Sequence, residues 1–359
     1  MTMRNAHLCI NRQALLHNLA QVKHYAPHAK VMAMVKADAY GHGAQLISHT
    51  LEPHVDALGV AFLAEAICLR QSGITCPIAI LEGVFNAEEL ALALEYRCYL
   101  VVHQAFQIEL LTHYQGTHST LIWLKVDSGM HRLGFAPQQV VTAYQQLNAL
   151  ACVQAIILTS HFACADDLSS PKTVQQLHLL DELAAQLPPL QRSFANSAAI
   201  LAWPQSHHQW VRAGIMLYGC SPFAHATAAE FNLHPVMTLK TQLIATKTIA
   251  TGETVGYGAT WQAPQETRLG VIAIGYGDGY PRHVQANTPV LVNGQRANIV
   301  GRVSMDMISI DITHLQVSLG DEVILWGEGL SADIIATAAK TISYELFCQI
   351  TPRVTRYLI

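Results

Sequence analysis

Eight short apolar runs recur along the first two-thirds of the chain, separated by longer amphipathic stretches. They read VMAMVK (31–36), ALGVA (57–61), PIAILEG (77–83), CYLVVH (98–103), LIWLKVD (121–127), QAIILTSH (154–161), RSFANS (192–197) and VRAGIMLYG (211–219). A strand that is apolar on both faces must be covered on both, which is the condition of a parallel sheet wrapped by helices. The segments between supply those helices. NAEELALALEYR repeats its apolar residues at three and four, and PKTVQQLHLLDELAAQL is introduced by Ser170 before Pro171, a helix-start pattern. Eight strand–helix units predict a closed, TIM-like (β/α)8 barrel over residues 1–233. An open doubly wound sheet is the alternative, weakened in its dinucleotide-binding form because no GxGxxG follows the first strand.

Beyond residue 233 the texture changes to period-two alternation punctuated by glycine and asparagine turns. LKTQLIATKTI, TRLGVIAIGYG, TPVLVNG, ANIVGRVSMDMISIDI and DEVILWGEG read as strands, and ADIIATAAKTI as one helix near the end. A second, mostly antiparallel β domain is expected over 234–359. The join at NLHPV is too short to act as a free linker.

A chain of 359 residues that is 51% apolar and 13% charged has material for a large core, which excludes a disordered protein. Net charge is −4 without a long basic run, so nucleic acid is not an expected partner, and no membrane signature is present. The opening MTMRNAHLCINRQALLHNL lacks the apolar core and cleavage site of a secretory signal, and a cytoplasmic location is expected. Eight scattered cysteines without a CxxC pair predict reduced thiols, with neither zinc site nor disulfide framework. Nineteen histidines include no HExxH, so no metal is expected, and His207-His208 reads as solvated surface.

In such a barrel the C-terminal strand ends carry the chemistry. Lys36 ends the first strand and Lys125 the fifth, with Asp127 and Arg132 behind it; His161 ends the sixth. Asn196 and Ser197 end the seventh, while Arg212, Gly214 and Tyr218 surround the eighth. Each alone has a bland reading, and Lys36 alone would be a strand-end lysine reaching for water. The loops after the last two strands are where barrels bind phosphate. Asn196-Ser197 and Gly214-Ile215 supply a hydroxyl and a closely approachable backbone there. A lysine on a rim that also holds phosphate points to pyridoxal 5′-phosphate, because a partly desolvated lysine forms a Schiff base with its aldehyde.

The runs VMAMVKADAYGHG, LKVDSGMHRLGF, SHFACAD, FANSAA, VRAGIMLYG, TVGYGATW, GYGDGY, GRVSMDM and YELFCQITPRVTRYL span both domains in order. Together they resemble alanine racemase, a fold-type III pyridoxal phosphate family. The resemblance implies that Lys36 carries the cofactor, that Tyr40, Ser197, Gly214, Ile215 and Tyr344 hold its phosphate with Asn196 alongside, and that Arg212 meets the pyridine nitrogen. It further implies two catalytic bases, Lys36 for D-alanine and Tyr257 for L-alanine. A free phenol has a pKa of about 10, and the implied help is a network from Tyr257 through His161 to Arg212. Tyr257 and Met305 would reach the site from the other subunit of a homodimer, and Arg132 would bind the substrate carboxylate. Lys125 would be a carbamate orienting Arg132, or else an ordinary surface partner of Asp127. The implied activity interconverts L- and D-alanine, for peptidoglycan or for alanine breakdown. A broad-specificity racemase, a fold-type III decarboxylase and a non-enzymatic cofactor carrier are the alternatives. Tyr276, Asp278 and Asp306 match loop positions of the family but fit a glycine-rich turn equally well.

Overall fold

The computed structural model describes residues 6–359. The chain starts with β1 (His7–Ile10) and then enters a ring of β2 (Lys30–Met34), β3 (Ala57–Val60), β4 (Ile78–Ile80), β5 (Cys98–Val102), β6 (Thr120–Lys125), β7 (Val153–Thr159), β8 (Gln191–Ser193) and β9 (Trp210–Ala213). All eight ring strands are parallel, and β9 closes on β2 from Lys30↔Trp210 to Ala33↔Ala213. The eight apolar runs are these strands. Helices cover the outside, and their starts follow local chemistry: Asn86 Oδ1 accepts from Glu89 N at 2.8 Å and Asn11 Oδ1 from Ala14 N at 2.9 Å, caps worth about 1 kcal/mol each. The interior is filled rather than hollow, with Met32, Leu58, Ile122 and Trp123 fully buried.

The second sheet comprises β10 (Met237–Ile249), β13 (Thr267–Ile272), β14 (Pro289–Val292), β15 (Gln295–Val300), β16 (Ile308–Asp311), β17 (Glu322–Trp326) and β18 (Thr355–Leu358), with the small hairpin β11 (Thr254–Val255) and β12 (Trp261–Gln262) beside it. β10 serves two neighbours. A bulge between Leu243 and Ala245 turns it from β17, which pairs with its first half, toward β13, which pairs with its second. The sheet also recruits β1, which lies antiparallel to β10 and parallel to β18. The barrel is therefore tied to the β domain at both of its chain ends.

One structural expectation needs correcting. His207 and His208 are half-buried, not solvated: the His207 ring reaches the Ile200 carbonyl at 3.0 Å and the His208 ring packs edge-on against Phe194. The Trp203–Trp210 loop folds back onto the barrel and takes both rings with it.

Candidate active site

The chain after β2 does something that residue type alone does not suggest. Ala37, Asp38, Ala39 and Tyr40 all have φ between 51° and 54°, and Gly41 follows at 77°. Four successive L-residues in the left-handed region cost about 1–2 kcal/mol apiece, so outside contacts must hold the turn. Glu65 Oε1 accepts from Ala37 N at 2.7 Å, and Asp38 Oδ1 accepts from Ala44 N at 2.7 Å. Only glycine fits at 41, where a Cβ would lie 2.0 Å from the Phe347 carbonyl oxygen. The turn sends Lys36 into a cavity of about 380 Å³ at the C-terminal end of the barrel.

That cavity gathers most of the expected rim residues: Lys36, Tyr40, Lys125, Arg132, His161, Asn196, Ser197, Arg212, Gly214, Ile215 and Tyr344 all line it. Tyr344 comes from the short helix Ser343–Cys348, so the second domain forms part of the wall. Tyr218 stays outside, fully buried, its hydroxyl donating to the Met34 carbonyl at 2.7 Å. Glu82 and Cys348 also line the cavity and had not been singled out. Glu82 had a visible signal, since it directly follows the apolar run of β4. Cys348 had none.

Arg212 is the most constrained group. One terminal nitrogen donates to Thr159 Oγ1 (3.1 Å), Ser193 O (2.7 Å) and Ser193 Oγ (2.8 Å); the other donates to Ser160 O (2.6 Å), Phe194 O (3.3 Å) and His161 Nδ1 (3.3 Å). Every acceptor is neutral, and burial lowers its pKa to about 10. Among the described residues Nε–H has no protein acceptor. Because His161 accepts at Nδ1, its proton sits on Nε2. Desolvation, then the charges of Arg212, Arg132, Lys125 and Lys36, keep that ring neutral with a pKa well below 6.5.

The phosphate side is built differently. Ser197 Oγ accepts from Gly214 N at 2.9 Å and Met216 N at 3.4 Å, and a Cβ on residue 214 would come within 2.7 Å of the Tyr40 hydroxyl. Glycine thus leaves backbone, phenol and hydroxyl facing a common space. Burial pushes the Lys36 amine below its usual pKa against the opposing pull of Glu82. Burial, then Arg212, push Lys125 down to about 8. Asp127 does not pair with Lys125; it accepts from Gly129 N and His131 N and lies 3.1 Å from the His131 ring.

Tyr257 and Met305 are elsewhere. Neither lines the cavity, and they are 68% and 52% exposed. Asp278 is fully buried, accepts from Gly275 N at 3.0 Å and lies 3.4 Å from Arg353 Nε, while Arg353 also pairs with Asp306. These two carboxylates tie the 275–280 and 302–307 loops together.

Comparison with known proteins agrees with this geometry. The profile for the alanine racemase N-terminal domain matches residues 10–222, and that for the alanine racemase C-terminal domain matches 236–358. The chain belongs to the alanine racemase family. The alanine racemase of Nitrosococcus oceani is 48% identical over 97% of each chain, and the biosynthetic alanine racemase of Escherichia coli is 47% identical over 98% of each. The crystal structure of biosynthetic alanine racemase from Pseudomonas aeruginosa superposes with a TM-score of 0.96 at 45% identity, covering 99% of this chain and 100% of that one. Among the described residues, no helix is long and apolar enough to cross a membrane.

Proposed function

We propose that this alanine racemase interconverts L-alanine and D-alanine with pyridoxal 5′-phosphate, moving the Cα proton between two bases, Lys36 and Tyr257. The observation that carries the reading is the meeting of three features in one cavity: a desolvated lysine, a hydroxyl-and-backbone cradle around Gly214, and an arginine with one donor left over. These residues fit the group. Tyr40, Ser197, Gly214, Ile215 and Tyr344 would hold the phosphate, Asn196 and His161 would lie beside the ring, and Arg212 Nε–H would meet the pyridine nitrogen. Bound there, the cofactor supplies an electron sink that makes the Cα proton of alanine removable.

The protein's own groups divide the remaining work. Lys36, with its lowered pKa, has an enlarged neutral fraction and serves as the base toward D-alanine. Arg212 does not readily surrender a proton, so a pyridine nitrogen held by it would remain unprotonated, and the weaker electron sink the cofactor would then supply would favour return of the proton over transamination. A decarboxylase would be expected to present a carboxylate at that place. His161, held by Arg212 at Nδ1, can donate from Nε2 to the Tyr257 oxygen and so favour the ionised phenol. Arg132 takes the substrate carboxylate. Lys125, pushed down to about 8 by burial and then by Arg212, has an enlarged fraction of the neutral amine that carbamylation requires, and a carbamate there would orient Arg132.

Tyr257, Tyr276, Met305 and Met307 are all exposed, and the turns at 256–258 and 276–277 both approach the loop at 302–305. Exposed apolar residues in such a group mark a contact surface, which supports a homodimer in which residues 234–359 of one subunit complete the site held by residues 1–233 of the other. Free cysteines throughout support a cytoplasmic enzyme, and the relatives described as biosynthetic support a role in supplying D-alanine for peptidoglycan.

Purified protein supplied with the B6 aldehyde is expected to form D-alanine from L-alanine. Borohydride reduction followed by peptide mapping should place the adduct on Lys36. An adduct on another residue, or protein that binds none of the vitamin, would overturn the assignment.

A further inference from the structure

Lys36 ends β2, but its direction is set by the left-handed turn that follows. The turn closes on itself through Ala39 N to Val35 O (2.9 Å), Gly41 N to Ala37 O (3.0 Å) and Gly43 N to Asp38 O (2.9 Å). These bonds form or break with the turn and so do not by themselves select it. Two outside groups grip it. Glu65 holds the Ala37 amide from the barrel side and bonds Ala61 N at 2.7 Å with its other oxygen. From the opposite side comes Arg356, in β18 of the second sheet. Its Nε donates to the Gly41 carbonyl at 2.8 Å, and a terminal nitrogen lies 3.4 Å from Asp38 Oδ2. Its Cδ stands 3.4 Å from where a Cβ on Gly43 would be.

Resting on the reading of Lys36 as the cofactor lysine, we propose that Arg356 is a positioning residue for racemisation, clamping the turn at 37–43 so that Lys36 stays aimed into the cavity. The guanidinium suits this task. Its planar fork can meet a carbonyl and a carboxylate together, which a lysine ammonium cannot do with the same fixed geometry. The bond to the Gly41 carbonyl is partly buried, with the arginine side chain 21% exposed, whereas Asp38 is 54% exposed and its ion pair is the more screened of the two contacts. The turn conformation is unfavourable for the residues that adopt it, and loss of an outside bond therefore acts on a segment with little local preference to stay as it is. β18 is hydrogen-bonded to β1, which leads directly into the barrel. The clamp thus links the second sheet to the reacting amine without touching substrate.

The test compares Arg356→Ala, Arg356→Lys and Asp38→Asn with the parent, using Lys240→Ala as a control that breaks a different pair on the same sheet, Lys240 with Glu322. In cofactor-free protein, hydrogen exchange of the amides at 37–44 should rise about tenfold in Arg356→Ala, the scale of losing one charge-assisted bond, while the β2 amides keep their protection. In the holoenzyme, kcat should fall about 10- to 100-fold with KM for alanine nearly unchanged, as expected for a misaimed group, and the cofactor absorbance band should shift. Arg356→Lys should recover part of both effects, and Asp38→Asn should show smaller changes in the same direction. Parental exchange and parental kcat in Arg356→Ala would overturn the proposal, as would an equal kcat loss in Lys240→Ala. If Arg356→Ala does not fold, Asp38→Asn carries the test, and unchanged exchange and kcat there would overturn it. Failure of borohydride to trap Lys36 in the parent would sink the cofactor reading instead, and the exchange data would still report on the clamp.

Discussion

The barrel rim and the exposed face of the second domain, the two surfaces that the proposed function joins, are built to opposite rules. On the rim the central groups are held by the protein itself: Arg212 spends its terminal nitrogens on six neutral acceptors, and Ser197 is committed to the Gly214 and Met216 amides. On the other face Tyr257 stands in a hairpin turn between glycines, with most of its surface in water. Fixed polar groups are what a charge-stabilising site needs, and a large exposed aromatic is what an association surface needs. On the proposed reading, a single chain would carry the cofactor cradle and, outside that cavity, a base that serves another copy.

The most severe way to break this contrast is to divide the two bases between chains. Tyr257→Phe should slow L-to-D conversion by about 10²- to 10⁴-fold, the usual weight of a proton-transfer group, while the cofactor stays bound. Mixed with Lys36→Ala protein under subunit exchange, it should regain roughly a quarter of parental activity, since half the dimers would carry one intact site of two. Absence of any recovery in the assay would put both bases within one chain.

A gentler probe sharpens the rim half. His42 lies buried against Tyr218 and Phe347 with its Nδ1 at 2.9 Å from the Tyr40 carbonyl, and burial lowers its pKa from 6.5 to about 3. The unfolded chain binds that proton below pH 6.5 and the folded chain does not until near pH 3. Folded stability from this group is therefore full above pH 6.5 and drains away as pH falls toward 3. Denaturant titrations at stepped pH should show a slope that flattens by about one proton in His42→Gln; an unchanged slope would remove His42 from the account.

The smallest effect concerns Lys125. Its amine loses the ammonium proton near pH 8, and a neutral amine takes up carbon dioxide with release of a proton. Enzyme stripped of dissolved carbon dioxide should gain several-fold in activity on addition of bicarbonate, and Lys125→Ala should not respond. Equal response in both proteins would return Lys125 to a plain cationic role.

The barrel was legible because parallel strands covered on both faces leave uninterrupted apolar runs, and a lysine or arginine ending such a run stands out. The rim positions of Lys36 and Lys125 were readable for that reason, while His161 stood out as a histidine closing its run and Arg212 as the charged residue inside an otherwise apolar one. The pairing of β1 was not: HLCI is four residues long, and its neighbours β10 and β18 lie more than two hundred residues away in sequence, so nothing local marks it. The left-handed turn was hidden for a different reason. A run of Ala-Asp-Ala-Tyr does not by itself predict four successive positive φ angles; the Phe347 carbonyl against Gly41, the Asp38 bond to Ala44 N and the side chains of Glu65 and Arg356 help hold that conformation. Cys348 reaches the cavity because its short helix packs there, a tertiary fact with no trace in its neighbours. The roles of Tyr257 and Met305 rested on family resemblance, and their own surroundings in a single chain give no hint of a base.

Pairing β1 with β18 sets an order of assembly during synthesis. β18 is made more than three hundred residues after β1, and long-range pairing of this kind is slow to form. A nascent chain can begin to build its barrel while β1 waits with an unpaired edge, and an edge in that state invites pairing with the wrong chain. Deleting Thr355–Leu358 would remove β18 and leave that edge of β1 open, so the shortened chain is expected to aggregate rather than persist as a weakened enzyme.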